Sequence, residues 1–335
     1  MTVTEANFSA PAQTIECHGL LFDMDGTIID STPAIVKHWQ KIGKEIGVDP
    51  EVILATSHGR RSIDVLQIYE PKLANWEYIS HAEGRIPIEY GSDAVEIPGS
   101  RAMLDRLEQQ SAPWAIVTSG TRPLVTGWLD VMKLAHPKNI VTAEDVPNGK
   151  PDPACYKMGE KKLLLQQPKP SIIVFEDAPA GVRSGKAAGY TVIALHTTHS
   201  LEQLVEAGAD YIVKDMRDVT LKVWDQSTGS GKLEITNALV MGADALASPP
   251  ARLLYVLKCQ TSNFDGDAEW MLRPRATQCC KVRSGTRCAA FEKRTQGARC
   301  LLRHADLQRL WSTHCHTGAH QAPEAVAGRG ALGDS

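Results

Sequence analysis

Short, uninterrupted apolar runs punctuate the first two thirds of the chain. They are GLLF at 19–22, WAIVT at 114–118, NIVT at 139–142, SIIVF at 171–175, TVIAL at 191–195 and YIV at 211–213. Each is bounded by turn residues, and most lack the polar alternation of a strand with one wet face, which predicts strands buried on both sides. Between the runs the apolar spacing changes to a helical period, as in GSRAMLDRLEQQ and APAGVRSGKAAG. Strand and helix in alternation predict an α/β fold, a doubly wound, Rossmann-like parallel sheet.

One connection is too long for that plan. Asp25 and Thr118 end consecutive core strands yet lie 93 residues apart, whereas a strand–helix–strand unit needs roughly 30 residues. An insertion over 32–97 is expected, dividing the core into 15–31 and 98–238. Its segments AIVKHWQKIGKEIG and IDVLQIYEPKLANWEYI have helical periods, so the insertion is expected to form a small α-helical cap. Past Ala238 the alternation stops. Residues 239–335 are expected to be an irregular, poorly ordered tail with one candidate short helix, ARCLLRHADLQRLW at 298–311.

Composition adds a seam at the same place. The whole chain is 43% hydrophobic and 22% charged with a net charge of −3, ordinary for a globular protein and no attraction to nucleic acid or a membrane surface. No apolar run approaches the about 20 residues of a membrane span. The opening MTVTEANFSAPAQTIE lacks a basic-then-apolar leader, so the cytoplasm, with the nucleus as an alternative, is the expected location. Residues 1–240 hold 23 Lys and Arg against 31 Asp and Glu, which is −8; residues 241–335 hold 13 against 8, which is +5. Six of the eight cysteines lie between Cys259 and Cys315. Their adjacent pair and irregular gaps do not match the C-x₂₋₄-C spacing of structural zinc sites.

Candidate chemistry clusters at the strand ends, where doubly wound sheets bind their ligands. The first strand ends in Asp23 and Asp25, a later one in Thr118-Ser119-Gly120, and SIIVF in Glu176-Asp177; the loop NGKPDP carries Lys150. Carboxylates crowded in this way repel one another unless a cation intervenes. Oxygen-only ligands favour a hard ion, and Mg²⁺ typically takes one or two carboxylates together with waters and a phosphate oxygen. The set suits phosphoryl transfer through a carboxyl-phosphate. Asp23 would be the nucleophile, and Asp25, on the same side of the strand, the acid/base. Thr118, Lys150 and backbone N–H groups, Ser119's among them, would hold the transferring oxygens. In the cap, SHGRRS places His58, Arg60 and Arg61 on a Gly-containing loop. It reads either as a solvated basic helix start or as a loop reaching back to the substrate's leaving group.

DMDGT, VTSGT, GKPDP and FEDAPAG resemble, in order and spacing, the four motifs of the haloacid dehalogenase-like phosphohydrolases. The insertion position is that of the subgroup with a helical cap after the first motif, which includes β-phosphoglucomutase. SHGRRSIDVL, EYGSDAVEIPG, VTSGTRPL and VFEDAPAGVRSGKAAG are most similar to the fungal glycerol-phosphate phosphatases and the related 2-deoxyglucose-6-phosphate phosphatases. The resemblance covers roughly residues 15–240. It implies Asp23 as nucleophile, Asp25 as acid/base and backbone metal ligand, Thr118 and Lys150 on phosphate, and Asp23, Asp25, Glu176 and Asp177 around Mg²⁺. Arg61 aligns with the cap arginine that meets a distal phosphate in the mutases. The implied activity is hydrolysis of a small polyol or sugar phosphate by a monomer. Glycerol phosphate comes first, which would tie the chain to glycerol metabolism and osmotic stress. 2-Deoxyglucose 6-phosphate or another sugar phosphate is the alternative, and phosphomutase activity ranks below both. A non-catalytic phosphate binder is expected to lack part of the catalytic set, and no member is missing. Because composition changes where the resemblance ends, the tail is expected to lie outside the functional fold. Truncation after about residue 240 should leave catalytic activity in place; a large loss in a still-folded protein would refute that expectation.

Overall fold

The computed structural model describes residues 7–57 and 59–240, with three short strand segments at 258–259, 270–272 and 280–282. The chain divides into two units, 1–243 and 244–335. The first begins with β1 (Gln13–Cys17), β2 (Gly19–Phe22) and β3 (Ile29–Asp30), followed by four helices: α1 (Thr32–Ile46), α2 (Pro50–Ser57), α3 (Ser62–Tyr69) and α4 (Trp76–Tyr90). β4 (Val95–Glu96), α5 (Ser100–Gln109), β5 (Trp114–Val117), α6 (Arg122–Met132), β6 (Asn139–Val141) and α7 (Ala154–Lys162) follow. The unit continues through β7 (Ile172–Glu176), α8 (Pro179–Ala188), β8 (Thr191–Leu195), α9 (Leu201–Ala207) and β9 (Tyr211–Val213) to β10 (Val219–Asp225) and β11 (Ser230–Ile235).

Six of these strands form one parallel sheet in the order β6-β5-β2-β7-β8-β9. The six apolar runs are its strands, displaced by at most a residue at either end. β2, β5 and β7 are buried along their whole length, which explains their lack of polar alternation. Helices cover both faces. One core layer gathers Phe22, Trp114, Phe175, Leu104 and Trp128; the other gathers Leu21, Val117, Val174, Tyr156 and Val192. Phe22 stacks on Phe175 with ring centroids 4.4 Å apart and meets Trp114 edge-on.

The helical insert α1–α4 is tied off at its stem. β3 and β4 pair antiparallel, Ile29 opposite Glu96, and the Ile97 N–H donates to the Ile28 carbonyl at 3.0 Å. The insert has its own small core of Trp39, Ile42, Ile53, Val65, Leu66 and Ile79. IDVLQIYEPKLANWEYI, read as one helical stretch, is two helices. Pro71 opens a single 3₁₀ turn over 71–73, and the Asn75 side chain then caps α4 by accepting from the Tyr78 N–H at 2.9 Å. α2 also forms here, although no periodicity announced it.

A second, antiparallel sheet, β1-β11-β10, carries no long apolar run and was not anticipated. Its inward residues Leu221, Leu233 and Ile235 join the layer that contains Leu104 and Trp114. The chain remains bonded to this unit through Val240, whose N–H donates to the Asn7 carbonyl. In the second unit, β12 (Lys258–Cys259), β13 (Trp270–Leu272) and β14 (Cys280–Val282) pair antiparallel, so these parts of the expected irregular tail form strands. Backbone pairing selects two- or three-residue strands without any sustained side-chain period. The candidate helix at 298–311 lies outside the described residues. Among those described, no helix is long and apolar enough to cross a membrane.

Phe22 is fully buried between Phe175 and Trp114. Phe22→Ala should lower unfolding free energy by about 3–5 kcal/mol, measured by urea denaturation. A loss below 1 kcal/mol would show that this layer collapses around the cavity.

Candidate active site

β2, β5 and β7 run parallel and adjacent, so their carboxyl ends fall together and the residues just beyond them converge. The Asp23 N–H donates to the Phe175 carbonyl, and the Thr118 N–H to the Val141 carbonyl, both at 3.0 Å. Backbone pairing thus carries each strand up to its first functional residue. At Gly26 the chain turns with φ +87°, and a Cβ there would overlap the Asp177 carboxylate. Only glycine tolerates both the left-handed backbone and that approach.

A small cavity of about 90 Å³ opens at this edge, lined by Asp23, Asp25, Thr118, Ser119, Lys150 and Asp177, with Glu176 beneath them. Lys150 Nζ donates to Asp23 Oδ1, to Glu176 Oε1 at 2.6 Å and to the Val117 carbonyl at 3.2 Å. Glu176 is held from every side. Its Oε1 also accepts from the Tyr156 hydroxyl at 2.6 Å, and its Oε2 accepts the N–H groups of Asp177 and Ala178, each at 3.1 Å. Asp25 accepts from the Ser31 hydroxyl. Asp177 accepts from Thr27 at 3.2 Å and from Thr198, with His199 Nδ1 3.8 Å away. Thr118 Oγ1 accepts the Gly120 N–H at 3.0 Å, closing a tight turn, while the Ser119 hydroxyl donates to the Gly59 carbonyl of the insert at 3.0 Å.

Charge in this pocket is unbalanced. Asp23, Glu176 and Asp177 are all buried, and one ammonium serves the first two. Burial pushes the Asp23 carboxyl well above its usual range; Lys150 opposes this, and the Glu176 and Asp177 charges reinforce it. Burial works against the Lys150 charge too, but Asp23 and Glu176 outweigh it and hold the ammonium above the ordinary lysine range. Asp25 is pushed up to about 6, first by burial and then by the Asp177 charge, against the Ser31 hydrogen bond. Oxygens of Asp23, Glu176 and Asp177 lie within 4.8 Å of one another. An all-oxygen, buried, over-negative set of this kind suits a hard divalent cation, which would relieve the repulsion that Lys150 alone leaves.

Residues from all four motifs therefore meet: Asp23, Asp25, Thr118, Ser119, Lys150, Glu176 and Asp177. The cap residues behave differently. His58 lies outside the described residues, and Arg60 is exposed. Arg61, expected at the leaving group, is buried and does not line the cavity. Its Nε and Nη2 donate to Asp64, Nη1 to the carbonyls of Ala143 and Val146, and Nη2 also to Pro147, at 2.8–3.3 Å. Its five N–H donors are thus taken up, leaving none for a substrate in this arrangement. From the insert, Ile35, Ser57 and Gly59 line the cavity instead.

Sequence reasoning missed Tyr156, Ser31, Thr198 and His199. The last two stand just past β8, on the same sheet edge, so the strand-end rule that found Asp23 would have found them. Ser31 and Tyr156 gave no signal, since their roles depend on which way a turn and a helix face.

Comparison with known proteins agrees with this geometry. The sequence model of the haloacid dehalogenase-like hydrolases matches residues 20–195, more than half of the chain. Glycerol-1-phosphate phosphohydrolase 1 of Saccharomyces cerevisiae is 37% identical over 240 residues, covering 70% of this chain and 96% of its own length. 2-Deoxyglucose-6-phosphate phosphatase 1 of the same yeast is 36% identical over 60% of this chain and 89% of its own. Hexitol phosphatase A of Escherichia coli is 36% identical over 62% and 95%. A hydrolase from Pseudomonas syringae shares the fold, with a TM-score of 0.52 and 24% identity over 59% of this chain and 94% of its own. Matched in sequence over its core and in fold to a solved hydrolase, with its motif residues on one buried sheet edge, the chain belongs to the haloacid dehalogenase-like hydrolases.

Proposed function

We propose that the chain is a phosphoric monoester hydrolase acting on glycerol phosphate by way of an aspartyl-phosphate. The observation that carries this reading is the juxtaposition of Asp23, Asp25 and Lys150 in one small cavity. Asp23 attacks phosphorus, a carboxylate–phosphorus bond forms, and the bond to the ester oxygen breaks. An alkoxide leaves poorly, so Asp25 gives it a proton; Asp25 then takes one from the water that attacks the acyl phosphate, which frees phosphate and restores Asp23. A carboxyl pushed up to about 6 suits a group that must both give and take that proton. Lys150 holds Asp23 in place and sets a positive charge beside the phosphoryl oxygens, to which the Thr118 hydroxyl and backbone N–H groups of the turn offer donors. Mg²⁺ is the expected cofactor, held by Asp23, Asp177 and the Asp25 backbone, where it would offset charge on those oxygens. Glu176, already accepting four hydrogen bonds, orients Lys150.

Glycerol phosphate stands first because the similarity to the yeast glycerol-1-phosphate phosphohydrolases extends over 96% of the first one's length, and a small cavity suits a small ester. 2-Deoxyglucose 6-phosphate and hexitol phosphates form the second reading, favoured by relatives at nearly the same identity.

Asp23→Asn should abolish turnover, at least 10³-fold on the order of a lost nucleophile, while far-UV circular dichroism stays unchanged; surviving turnover would remove Asp23 from that role. kcat/KM on glycerol, hexose and hexitol phosphates should be highest for glycerol phosphate, and equal values for all would refute the narrow assignment. A Cβ at residue 181 would overlap the Glu176 carboxylate, so Gly181→Ala should displace it and Lys150 together. Steady-state kinetics should show kcat/KM down by about 10²-fold, as for a misplacement near 1 Å, and a change below threefold would show that Glu176 is dispensable to the site.

A further inference from the structure

Among the described residues, two buried acids lie outside the catalytic set: Asp215, which pairs with Arg217, and Glu83. Glu83, on α4 of the insert, is only 4% exposed, and no cation among the described residues bonds to it. Its Oε2 accepts the Thr121 N–H at 2.7 Å, and its Oε1 accepts from the Ser62 hydroxyl at 2.5 Å. Thr121 is the N-cap residue of α6 and directly follows Thr118-Ser119-Gly120, the turn at the cavity. Glu83 therefore reaches from the insert to the end of the turn that carries Thr118, which lines the cavity.

Four further contacts make this a built joint rather than a chance approach. Gly84 lets α4 close on α6, since a Cβ there would stand 2.9 Å from the Pro123 side chain, and Gly127 likewise admits Pro87. Arg61, next to Ser62, grips the carbonyls of Ala143, Val146 and Pro147 on the loop that leads to Lys150. Ser119 bonds to Gly59. The insert thus holds both donor-bearing loops of the core, one through Glu83 and the other through Arg61.

We propose that Glu83 is a positioning residue for the phosphoryl-transfer site: carried by the insert, it fixes the Thr121 N–H and with it the Thr118–Gly120 turn. The geometry of anion binding in the core then depends on the insert being docked. A carboxylate does this well because it accepts both hydrogen bonds at the positive N-terminal end of α6. Burial, reinforced by the Asp25 charge, pushes the Glu83 carboxyl up to about 7 against its Ser62 and Thr121 hydrogen bonds, so the joint changes charge within the physiological range. Other charged groups on the elements around it are Arg61 and Asp64 beside Ser62, and Arg122 and Glu144 beside Thr121. Arg61 is committed to Asp64, Arg122 to Asp145, and Glu144 accepts the Arg122 N–H.

The proposal rests on the phosphatase reading for its kinetic readout, and a binding readout separates the two. Sulfate, which does not titrate between pH 6 and 8, is the probe, with affinity measured by calorimetry. Wild type should change affinity through an ionisation near pH 7 in addition to the step that Asp25 gives near pH 6, and Glu83→Gln, which keeps an acceptor for Thr121, should lose the upper step and keep the lower one. Glu83→Ala should lose about tenfold or more in sulfate affinity and about 10–100-fold in kcat/KM, as for a misplaced turn; Glu83→Gln should recover most of both. With a raised carboxyl, the folded state carries an unfavourable buried charge above pH 7 and sheds it as pH falls. Glu83→Gln should therefore melt higher than wild type at pH 8, by a margin that shrinks toward pH 5. A folded Glu83→Ala with wild-type sulfate affinity would overturn the proposal, as would a Glu83→Gln that keeps the wild-type pH profile or loses as much as the alanine variant. If wild type hydrolyses no phosphate ester, the phosphatase reading fails, while the sulfate comparison still decides the role of Glu83.

Discussion

Lys150 sits between Asp23 and Glu176 with its ammonium almost wholly removed from water, and the rest of the site is arranged around that pair of contacts. Removing such a charge from solvent costs several kcal/mol, which attraction offsets only where geometry and further hydrogen bonds are good. Here the Val117 carbonyl takes another of its protons, and Glu176 is fixed in turn by Tyr156 and two backbone N–H groups. The ammonium therefore cannot move without disturbing strands β5 and β7 as well as helix α7. That rigidity keeps the Asp23 carboxylate at one place on the sheet edge.

The balance is deliberately incomplete. Three buried carboxylates face one lysine, so negative charge is left over beside the cavity. A protein selected only for stability would neutralise or solvate such groups. Retaining them leaves the site suited to a divalent cation, whose charge would offset the excess. The raised Asp25 carboxyl belongs to the same environment: burial and the Asp177 charge raise its affinity for the proton, and the Ser31 hydrogen bond opposes them.

The insert shares the task through opposite charges on two core loops. Arg61 takes carbonyls ahead of Lys150, and Glu83 takes the N–H after Gly120. Arg61 shows how a residue legible as basic and loop-borne acquires its role from its neighbours. With its donors on Asp64 and three carbonyls, it supports a loop instead of lining the cavity. Residue type and spacing could not distinguish these uses, because both need a guanidinium near the same edge.

Sequence alone determined the parallel sheet, because strands buried on both faces need unbroken apolar runs, and it located Asp23, Thr118, Lys150 and Glu176 because parallel strands place their carboxyl ends on one edge. The helical insert followed from one connection too long for a crossover. The antiparallel sheet β1-β11-β10 stayed hidden, since its strands mix polar and apolar residues and are selected by backbone pairing. Ser31, Tyr156 and Glu83 also waited for the fold. Each is an ordinary residue in its own segment, and its meaning comes from a partner: 6 positions away for Ser31, 20 for Tyr156 and 38 for Glu83. Local patterning records which faces are buried; only tertiary packing decides which buried polar groups meet.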